Sequence, residues 1–442
     1  MSGSVTLGGF AKNWRISRVG YAYAIQLGKM LQPERQFEND NEVPYLKSQH
    51  VQAGVVVSED LPLMWANLAE TSKYSVRDGD LLVCEGGDVG RAAIAVHVPE
   101  DTIIQNALHR VRSSGGNSLT YLLYVLLHIK NHGWFDIICN KSTIAHLTRE
   151  KLSALAIPLP PPLVQRSIAA HLDRETAKVD TLIGKKRELI AKLKEQRSAL
   201  ISRTVTRGLP PEAAKAAGLD PNPPMKDSGV EWFGKVPEHW QISCLKRNWN
   251  VLDCKHLTAE FVDDGFPLAS IREVQSRFVD LTNAKRTTPD FYFQLIEGDR
   301  EPRLHDLIFS RNATVGEVAQ VPVDQGNFAL GQDVCLIRRK HASHSADFLQ
   351  IVLRSEACRS QLDNVMVGST FKRVNVEDIK ALWIPVPPVN EQLAVANFLL
   401  SQLEKVDGLV TTVETAITRL TEYRAALITA AVTGQLNITS AG

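Results

Sequence analysis

Two pairs of polar loops hold the side chains of this chain that are best suited to recognising another molecule. The first pair is Glu85–Gly90 and Ser310–Gly316, and the second pair is Asn140–His146 and Gly368–Arg373. In the second half of the chain, both loops combine arginine or lysine with asparagine, serine or threonine. Such side chains can contact phosphate groups and the edges of bases in nucleic acid. Ordinary turn chemistry with solvated charges explains any single one of these residues equally well.

The loops give a defined set of candidate DNA-contacting residues, among which we expect Arg311 to contact a base. Its replacement by alanine should then weaken recognition of a target by about 1–3 kcal/mol. The candidates are Arg91, Lys141, Ser142, Thr143, His146, Arg311, Asn312, Thr314, Ser369, Thr370, Lys372 and Arg373.

Three short motifs look catalytic but lack residues that the chemistry requires. The stretch Asn222–Met225 is similar to the Asn-Pro-Pro-aromatic motif of amino methyltransferases, but its aromatic residue is missing. Gly86–Gly90 hints at a phosphate-binding loop without the required lysine. Asp290 and Glu297 resemble a nuclease cluster, but no lysine stands two positions after the glutamate. We therefore predict no catalytic residue in this chain.

The composition is typical of a protein whose cysteines remain reduced. The 6 cysteines are scattered without a Cys-x-x-Cys pair, so neither a metal site nor a disulfide framework is expected. No stretch of 18 apolar residues could span a membrane, and Met1–Gly9 lacks the pattern of a signal peptide. We expect a cytoplasmic protein with no membrane partner. The net charge of +1 disfavours an indiscriminate nucleic-acid binder but leaves room for a specific one.

The second half of the chain is a copy of the first half. Residues 157–209 align with residues 384–436 without a gap, and 21 of the 53 aligned pairs are identical. The similarity extends towards the N-terminus of each half, where Asp80–Leu82 returns as Asp306–Ile308. A repeat of this length indicates one architectural unit used twice.

The two copies differ most between about residues 18 and 75, where insertions are needed to align them. The similarity resumes further along, with Gln105 aligned with Gln332. Each globular part contains roughly 150 residues, which is enough for a core of its own.

Each copy ends in a long helix that follows a proline run, because prolines such as Pro160 and Pro161 cannot lie inside a helix. Apolar residues then recur at steps near three, four and seven, which is typical of a coiled coil. A helix of about 44 residues would be roughly 66 Å long. The residues expected at the helix-pair interface are Leu172, Val179, Leu182, Leu189, Leu193, Leu200, Leu399, Val406, Leu409, Val413, Leu420 and Leu427.

Three partners could cover this apolar seam: the helix's own globular part, a second copy of the chain, or the other long helix of the same chain. We favour the last partner. Two similar helices that alternate with two similar globular parts can pack antiparallel around a pseudo-twofold axis, with the globular parts at opposite ends.

We therefore predict an α+β protein with two tandem mixed α/β recognition domains and two long helices packed as an antiparallel coiled coil. The expected segments are a first recognition domain at 1–156, a first helical spacer at 157–208, a Pro-rich linker at 209–236, a second recognition domain at 237–383 and a second helical spacer at 384–438.

These residues together resemble the specificity subunit of a type I restriction–modification system. The most specific elements are Ile384–Gln392 before a long helix, its copy at 157–165, and Ser228–Trp240 at the start of the second globular part. The stretches 306–316 and 368–370 also fit.

The first copy departs from the family pattern at two places. Leu163 and Val164 replace Asn-Glu before Gln165, and Glu85–Gly87 replaces Ser-Arg-Asn. The two globular parts therefore need not use the same loop residues.

The resemblance implies a non-catalytic subunit whose two domains each read one half of a bipartite sequence in double-stranded DNA. The helix pair would set the gap between the halves and dock two methyltransferase subunits, through which restriction subunits would join. This chain would bind no cofactor, and S-adenosylmethionine, ATP and Mg would be bound by the partners.

Two other functions are compatible with parts of the pattern. A duplicated coiled-coil scaffold that binds only protein explains the helices, but it does not explain why the globular parts diverge while the helices stay similar. An autonomous methyltransferase or nuclease is disfavoured by the missing motifs.

Overall fold

The computed structural model describes residues 14–52, 54–139, 146–366 and 373–436, and the chain divides into two compact units. Unit 1 comprises Met1–Arg187 and Glu414–Gly442, and unit 2 comprises Glu188–Val413. These units cut across the five consecutive segments of the sequence-based prediction, because each unit combines one globular part with one portion of each long helix.

Unit 1 contains short strands and helices followed by the beginning of the first long helix, α6 (Pro162–Arg207). Its strands are β1 (Arg15–Arg18), β2 (Tyr23–Leu27), β3 (Asn41–Leu46), β4 (Leu63–Ala66), β5 (Leu81–Cys84), β6 (Ala92–Ile94), β7 (Ile103–Ile104), β8 (Leu108–Ser113) and β9 (Ala156–Leu159). Its shorter helices are α1 (Val19–Ala22), α2 (Leu68–Tyr74), α3 (Leu119–Asn131), α4 (Trp134–Ile138) and α5 (Arg149–Ala154), and a 3-10 turn covers Ser48–His50.

Unit 2 repeats this plan and ends in the first part of the second long helix, α13 (Val389–Val432). Its strands are β10 (Met225–Asp227), β11 (Lys235–Pro237), β12 (Gln241–Cys244), β13 (Trp249–Asp253), β14 (Phe261–Val262), β15 (Phe266–Ala269), β16 (Arg286–Thr287), β17 (Leu307–Ser310), β18 (Val318–Gln320), β19 (Ala329–Leu330), β20 (Val334–Arg339) and β21 (Trp383–Val386). Its shorter helices are α7 (Pro211–Ala216), α8 (Leu245–Asn248), α9 (Pro289–Ile296), α10 (Ala346–Leu353), α11 (Glu356–Val365) and α12 (Val376–Ala381), and a 3-10 turn covers Ile271–Val274.

The predicted duplication is confirmed in the order of the strands. The main sheet of unit 1 has the order β2-β8-β5-β6, and that of unit 2 has the order β13-β20-β17-β18. A second sheet contains β4-β3-β7 in unit 1 and β14-β16-β15-β19 in unit 2. Each second sheet contains one parallel pair, β3 with β7 and β15 with β19.

The backbone hydrogen bonds correct one aligned pair of the sequence analysis. In unit 1 the N–H of Gln105 donates to the carbonyl of Leu46, and in unit 2 the N–H of Gly331 donates to the carbonyl of Ala269. Gln105 is therefore equivalent to Gly331, and the equivalent of Gln332 is Asn106. The expected alignment of Gln105 with Gln332 is therefore wrong by one residue.

An ion pair with a buried carboxylate is repeated in the two main sheets. In unit 1 the guanidinium of Arg112 on β8 donates to both carboxylate oxygens of Asp80, at 2.7 and 2.8 Å. In unit 2 Arg338 on β20 binds Asp306 in the same way, with a shortest distance of 2.6 Å. Asp80 directly precedes β5 and Asp306 directly precedes β17, which are inner strands of their sheets. The bidentate pair therefore fixes how that strand enters the core.

A glutamine anchors the start of each long helix to its globular domain. The Gln165 amide accepts from the N–H of Ser118, the N-cap of α3, at 2.8 Å and donates to the carbonyl of Pro160 at 2.8 Å. The Gln392 amide likewise accepts from the N–H of Ser345 at 3.0 Å and donates to the carbonyl of Pro387 at 2.9 Å. Both glutamines are buried.

The two long helices pack antiparallel, as predicted. In unit 1, Ile168 and Leu172 near the start of α6 share a core with Leu427 and Ile428 near the end of α13. In unit 2, residues near the end of α6 share a core with residues near the start of α13, namely Ile201, Val205, Val395 and Leu399. Arg424 pairs with Asp180 at 2.9 Å in unit 1, and Arg197 pairs with Asp407 at 3.0 Å in unit 2.

The predicted interface residues differ in how far they are buried. Leu172, Val179, Leu399, Val413 and Leu427 are buried, and Leu193, Leu200, Val406 and Leu420 are partly buried. Leu182, Leu189 and Leu409 are 43%, 45% and 54% exposed.

The exposed leucines reflect the phase of the heptad. Ile183, directly after Leu182, is only 7% exposed. A coiled-coil seam alternates steps of three and four residues, so buried positions run from Leu172 through Thr176 and Val179 to Ile183. A step of three from Val179 leads to Leu182, which lies on the outer side of the helix.

The Pro-rich segment 209–236 is more ordered than a surface linker. It contains α7, and β10 pairs antiparallel with β11. Phe233 and Val236 are buried in a small cluster with Ala357. Among the residues that the structure describes, no helix is both long and apolar enough to cross a lipid bilayer.

We predict that Gln165→Leu and Gln392→Leu each lower the free energy of unfolding by about 1–3 kcal/mol, because a buried backbone N–H and a carbonyl lose their partner. Denaturant unfolding followed by circular dichroism measures this change. Gln196→Leu is the matched control, since Gln196 is an exposed glutamine of the same helix α6. Equal stabilities for the control and the two anchor variants would contradict the anchoring role.

A second prediction concerns His128 of α3, whose Nδ1 lies 2.9 Å from Oγ1 of Thr429 on α13. Burial, and then the neighbouring His132, lowers the pKa of His128 to about 4. His128 therefore takes up a proton below about pH 6.5 in the unfolded chain, but only below about pH 4 in the folded chain. Because the unfolded chain binds more protons between these values, the free energy of unfolding falls as the pH drops from about 6.5 to 4.

The measurement is the free energy of unfolding across this pH range for the unmodified chain and for His128→Gln. The difference between the two curves should change by up to roughly 3 kcal/mol. His97→Asn, at an exposed site with a positive φ of 55° that asparagine tolerates, should leave the curve unaltered. Parallel curves for His128→Gln and the unmodified chain would refute the prediction.

Candidate nucleic-acid interface

The two predicted loops of the second copy meet in unit 2. Asn312 and Arg373 form an isolated antiparallel β-bridge, and the N–H of Val374 donates to the carbonyl of Arg311 at 3.0 Å. Arg373 is exposed beside this contact. The predicted residues Ser369, Thr370 and Lys372 lie outside the described residues.

Unit 1 brings the equivalent loops together with the same backbone contact. The N–H of Leu147 donates to the carbonyl of Glu85 at 2.8 Å, and the His146 ring lies next to Gly86. His146 is exposed, as Arg373 is in unit 2. The predicted residues Lys141, Ser142 and Thr143 lie outside the described residues.

Arg311 points into unit 2 and not towards a ligand. Its side chain is only 3% exposed, with Nη1 at 3.2 Å from Oδ2 and Nη2 at 3.1 Å from Oδ1 of Asp253. A guanidinium that is buried against a carboxylate supports the loop and has no free edge to offer to a base. The expectation that Arg311 contacts a base is therefore replaced by a positioning role.

The same environment bears on metal binding. Asp253, Cys254 and His256 place three possible ligand atoms within 4.8 Å of one another. Arg311 already neutralises the carboxylate of Asp253, and burial raises the pKa of the Cys254 thiol, which disfavours the thiolate that a metal needs. This group of residues is poorly suited to holding a metal ion.

The remaining loop residues of unit 2 hold one another in place. The side-chain oxygen of Asn312 accepts from the N–H of Ala313 at 2.9 Å, and Ala313 has a positive φ of 55°. Oγ1 of Thr314 accepts from the Gln275 amide at 3.0 Å and lies 3.1 Å from the Ser310 hydroxyl. The loop is thus preorganised, and Gln275 joins it to the 3-10 turn at Ile271–Val274.

The loop of unit 1 is built on a different set of charges. Arg91 donates from Nη2 to the carbonyl of Ser48 at 2.8 Å and pairs with Asp88, which also binds Lys130. Arg91 therefore stabilises the loop, and only 22% of its side chain is exposed. The loops share a backbone arrangement but present different side chains, as the departure of Glu85–Gly87 from the family pattern suggested.

The structure adds a feature that the sequence analysis did not find. A cavity of about 570 Å³ opens in unit 2 beside the Ser310–Gly316 loop and is lined by residues from five separate stretches between Leu257 and Asp333. The region where the copies diverge contains several of these residues, so alignment of the two halves gave no signal for them.

The comparison with known families agrees with these features. Residues 11–192 and 293–419, which together make up well over half of the chain, match the model of the type I restriction modification DNA specificity domain. The chain belongs to this family. The predicted resemblance to type I specificity subunits is thereby confirmed.

Curated members of the family are similar along much of this chain. It is 22% identical over 305 residues to the type I restriction enzyme EcoBI specificity subunit of Escherichia coli, a match that covers 66% of this chain and 61% of that subunit. It is also 22% identical over 407 residues to the type I restriction enzyme MjaVIII specificity subunit of Methanocaldococcus jannaschii, covering 90% of this chain and 87% of that protein.

Solved structures show the same fold. A chain from a structure on complex assembly and conformational transition of the type I R-M system has a TM-score of 0.70 and 16% identity, and the match covers 97% of the present chain and 99% of that chain. The HsdS subunit from Thermoanaerobacter tengcongensis has a TM-score of 0.52 and 16% identity, covering 97% of this chain and 98% of that one.

We predict that Arg311→Ala lowers the free energy of unfolding by about 2–3 kcal/mol, because the packing of a buried side chain and its two contacts with the Asp253 carboxylate are lost. A double-mutant cycle with Asp253→Ala measures the coupling, and the double variant should be less destabilised than the sum of the single variants. Fully additive effects, or Arg311→Ala with unchanged stability and a changed base preference, would restore the original base-contact hypothesis.

Proposed function

We propose that this chain is the DNA sequence-specificity subunit of a type I restriction–modification complex, with each globular domain reading one half of a bipartite target. The observation that carries the proposal is that the loops of the two units have the same backbone arrangement but different side chains. Both units join the same two loops by the same hydrogen bond, yet the exposed residue beside that bond is Arg373 in unit 2 and His146 in unit 1. Two similar domains that read different sequences need this combination.

The recognition domains would comprise residues 1–156 and 237–383, joined by helical spacers at 157–208 and 384–438 and by the segment 209–236. The buried glutamine anchors support a role for the spacers in fixing each domain on its helix. In this proposal the helix pair sets the number of unread base pairs between the half-sites. It also provides the docking surface for two methyltransferase subunits in the cytoplasm.

The chemistry of modification and cleavage would belong to the partners. Methyltransferase subunits would bind S-adenosylmethionine, and restriction subunits joined through them would use ATP and Mg. The near-neutral charge of this chain, with 50 basic and 49 acidic residues, supports a division of labour in which partners supply much of the phosphate contact.

The test is single-molecule sequencing of methylated genomic DNA from cells that make this chain together with its methyltransferase subunit. We expect a methylated motif made of two short sequences separated by a fixed number of unspecified bases. The motif should disappear when the gene for this chain is deleted and return when the gene is restored. A continuous motif, or no motif that depends on this gene, would overturn the proposal.

A further inference from the structure

The cavity of unit 2 combines an apolar floor with a polar rim. Its floor is formed by Leu268, Leu295 and Leu330, which are all buried. Its rim carries Thr258, Arg272, Asn283, Lys285 and Gln332. Two acidic residues, Glu273 and Asp333, also line it, and the Glu273 carboxylate accepts from the N–H of Ser270 at 2.8 Å. An apolar recess with a few convergent polar groups is the usual form of a ligand-binding site.

The rim presents hydrogen-bonding groups to the outside. The side chains of Arg272 and Asn283 are exposed and make no hydrogen bond or ion pair with any residue that the structure describes. The Gln332 amide nitrogen donates to Oγ1 of Thr258 at 3.3 Å, which orients the amide and leaves its oxygen available. The guanidinium of Arg272, the amide of Asn283 and the amide oxygen of Gln332 are therefore available to a ligand.

Positive charge and an aromatic ring stand at the mouth of the cavity. Nζ of Lys285 lies 4.1 Å from the centre of the Phe261 ring, and Phe261 is 54% exposed. This cation–π contact holds an ammonium group at the rim, where an anionic partner can reach it.

The rim is rigid and continuous with the loop described above. A Cβ atom on Gly331 would lie 2.1 Å from Oγ of Ser270, so the backbone beside Gln332 is packed directly against the turn that carries Arg272. The N–H of Arg311 donates to the carbonyl of Asp333 at 2.8 Å. The cavity and the Ser310–Gly316 loop therefore form one surface of unit 2.

Duplex DNA satisfies all of these groups together. Carboxamides pair with the adjacent donor and acceptor of adenine in the major groove, guanidinium groups pair with guanine, and apolar surfaces contact the methyl group of thymine. Lysine suits the neighbouring phosphates. We infer that the exposed rim of this cavity contacts the groove edge of a base pair in one half-site, and that Gln332, Asn283 and Arg272 determine which base pair is accepted.

This inference rests on the proposed function and makes it specific for unit 2. In unit 1 the position equivalent to Gln332 is occupied by Asn106, a shorter carboxamide. The same position in the fold thus carries a carboxamide in both units, on side chains of different length. Two domains that recognise different half-sites require such a difference.

The test introduces Gln332→Leu and Asn283→Leu separately into cells that make the complete complex, followed by sequencing of the methylated genome. We expect each variant to relax or change one position of one half-site, while the other half-site and the gap stay the same. Purified variant complexes should bind the original target about 10- to 100-fold more weakly than the unmodified complex does, with a smaller loss on DNA altered at that position.

The matched control is Gln294→Leu, which removes an exposed carboxamide of unit 2 on α9 that does not line the cavity. It should leave the motif and the affinity unchanged. The unchanged second half-site reports that each variant folds and assembles.

Two results would overturn the inference. One is an unaltered motif in both cavity variants, and the other is an equal loss of binding on DNA with every base pair tested at each position. If a variant methylates no site, binding of its purified complex to that panel decides between a changed and an unchanged preference. Failure of the proposed function is a different result, because the unmodified chain would then direct no motif at all.

Discussion

The burial of one glutamine at the start of each long helix is the constraint on which the other features of this protein depend. Gln165 and Gln392 each complete the N-terminus of a helix in the globular domain and bind a carbonyl of the proline run that precedes the long helix. A carboxamide can serve both partners at once because it offers a donor and an acceptor on one rigid plane. A surface that reads DNA is useful only when its orientation is fixed, and this contact fixes each domain on its own helix.

The two units show which parts of the architecture tolerate change. The ion pairs Asp80–Arg112 and Asp306–Arg338 occupy equivalent places and have the same bidentate geometry. The loops that follow β5 and β17 keep their backbone contact but differ in the exposed residue beside it, which is His146 in one unit and Arg373 in the other. Buried polar pairs resist substitution because one partner alone is costly, whereas exposed loop ends change freely. Duplication followed by change at the loop ends is therefore a simple route to two reading domains.

Much of the architecture could be predicted from sequence because it is encoded in long, repeated patterns. Gap-free similarity over residues 157–209 and 384–436 indicated two similar helices, and their heptads indicated a coiled coil. The alternation of these helices with two similar globular parts indicated antiparallel pairing. The phase of the seam at Ile183 was missed because Leu182 and Ile183 are both apolar, and only packing decides between neighbours. The inward direction of Arg311 was missed for a related reason. Its partner Asp253 lies 58 residues away in sequence, and nothing local distinguishes a buried arginine from an exposed one.

The placement of cations explains how a chain with a net charge of +1 can favour specificity over general affinity. Arg112, Arg338 and Arg311 are held by carboxylates inside the units. In contrast, Arg272 and Lys285 stand at the surface next to carboxamides that can read bases. Every phosphate contact raises affinity for all sequences alike and makes binding more sensitive to salt. In such a subunit many arginines pair with its own carboxylates, and only a few lie beside hydrogen-bonding side chains. It can therefore discriminate between DNA sequences without binding strongly to unrelated DNA.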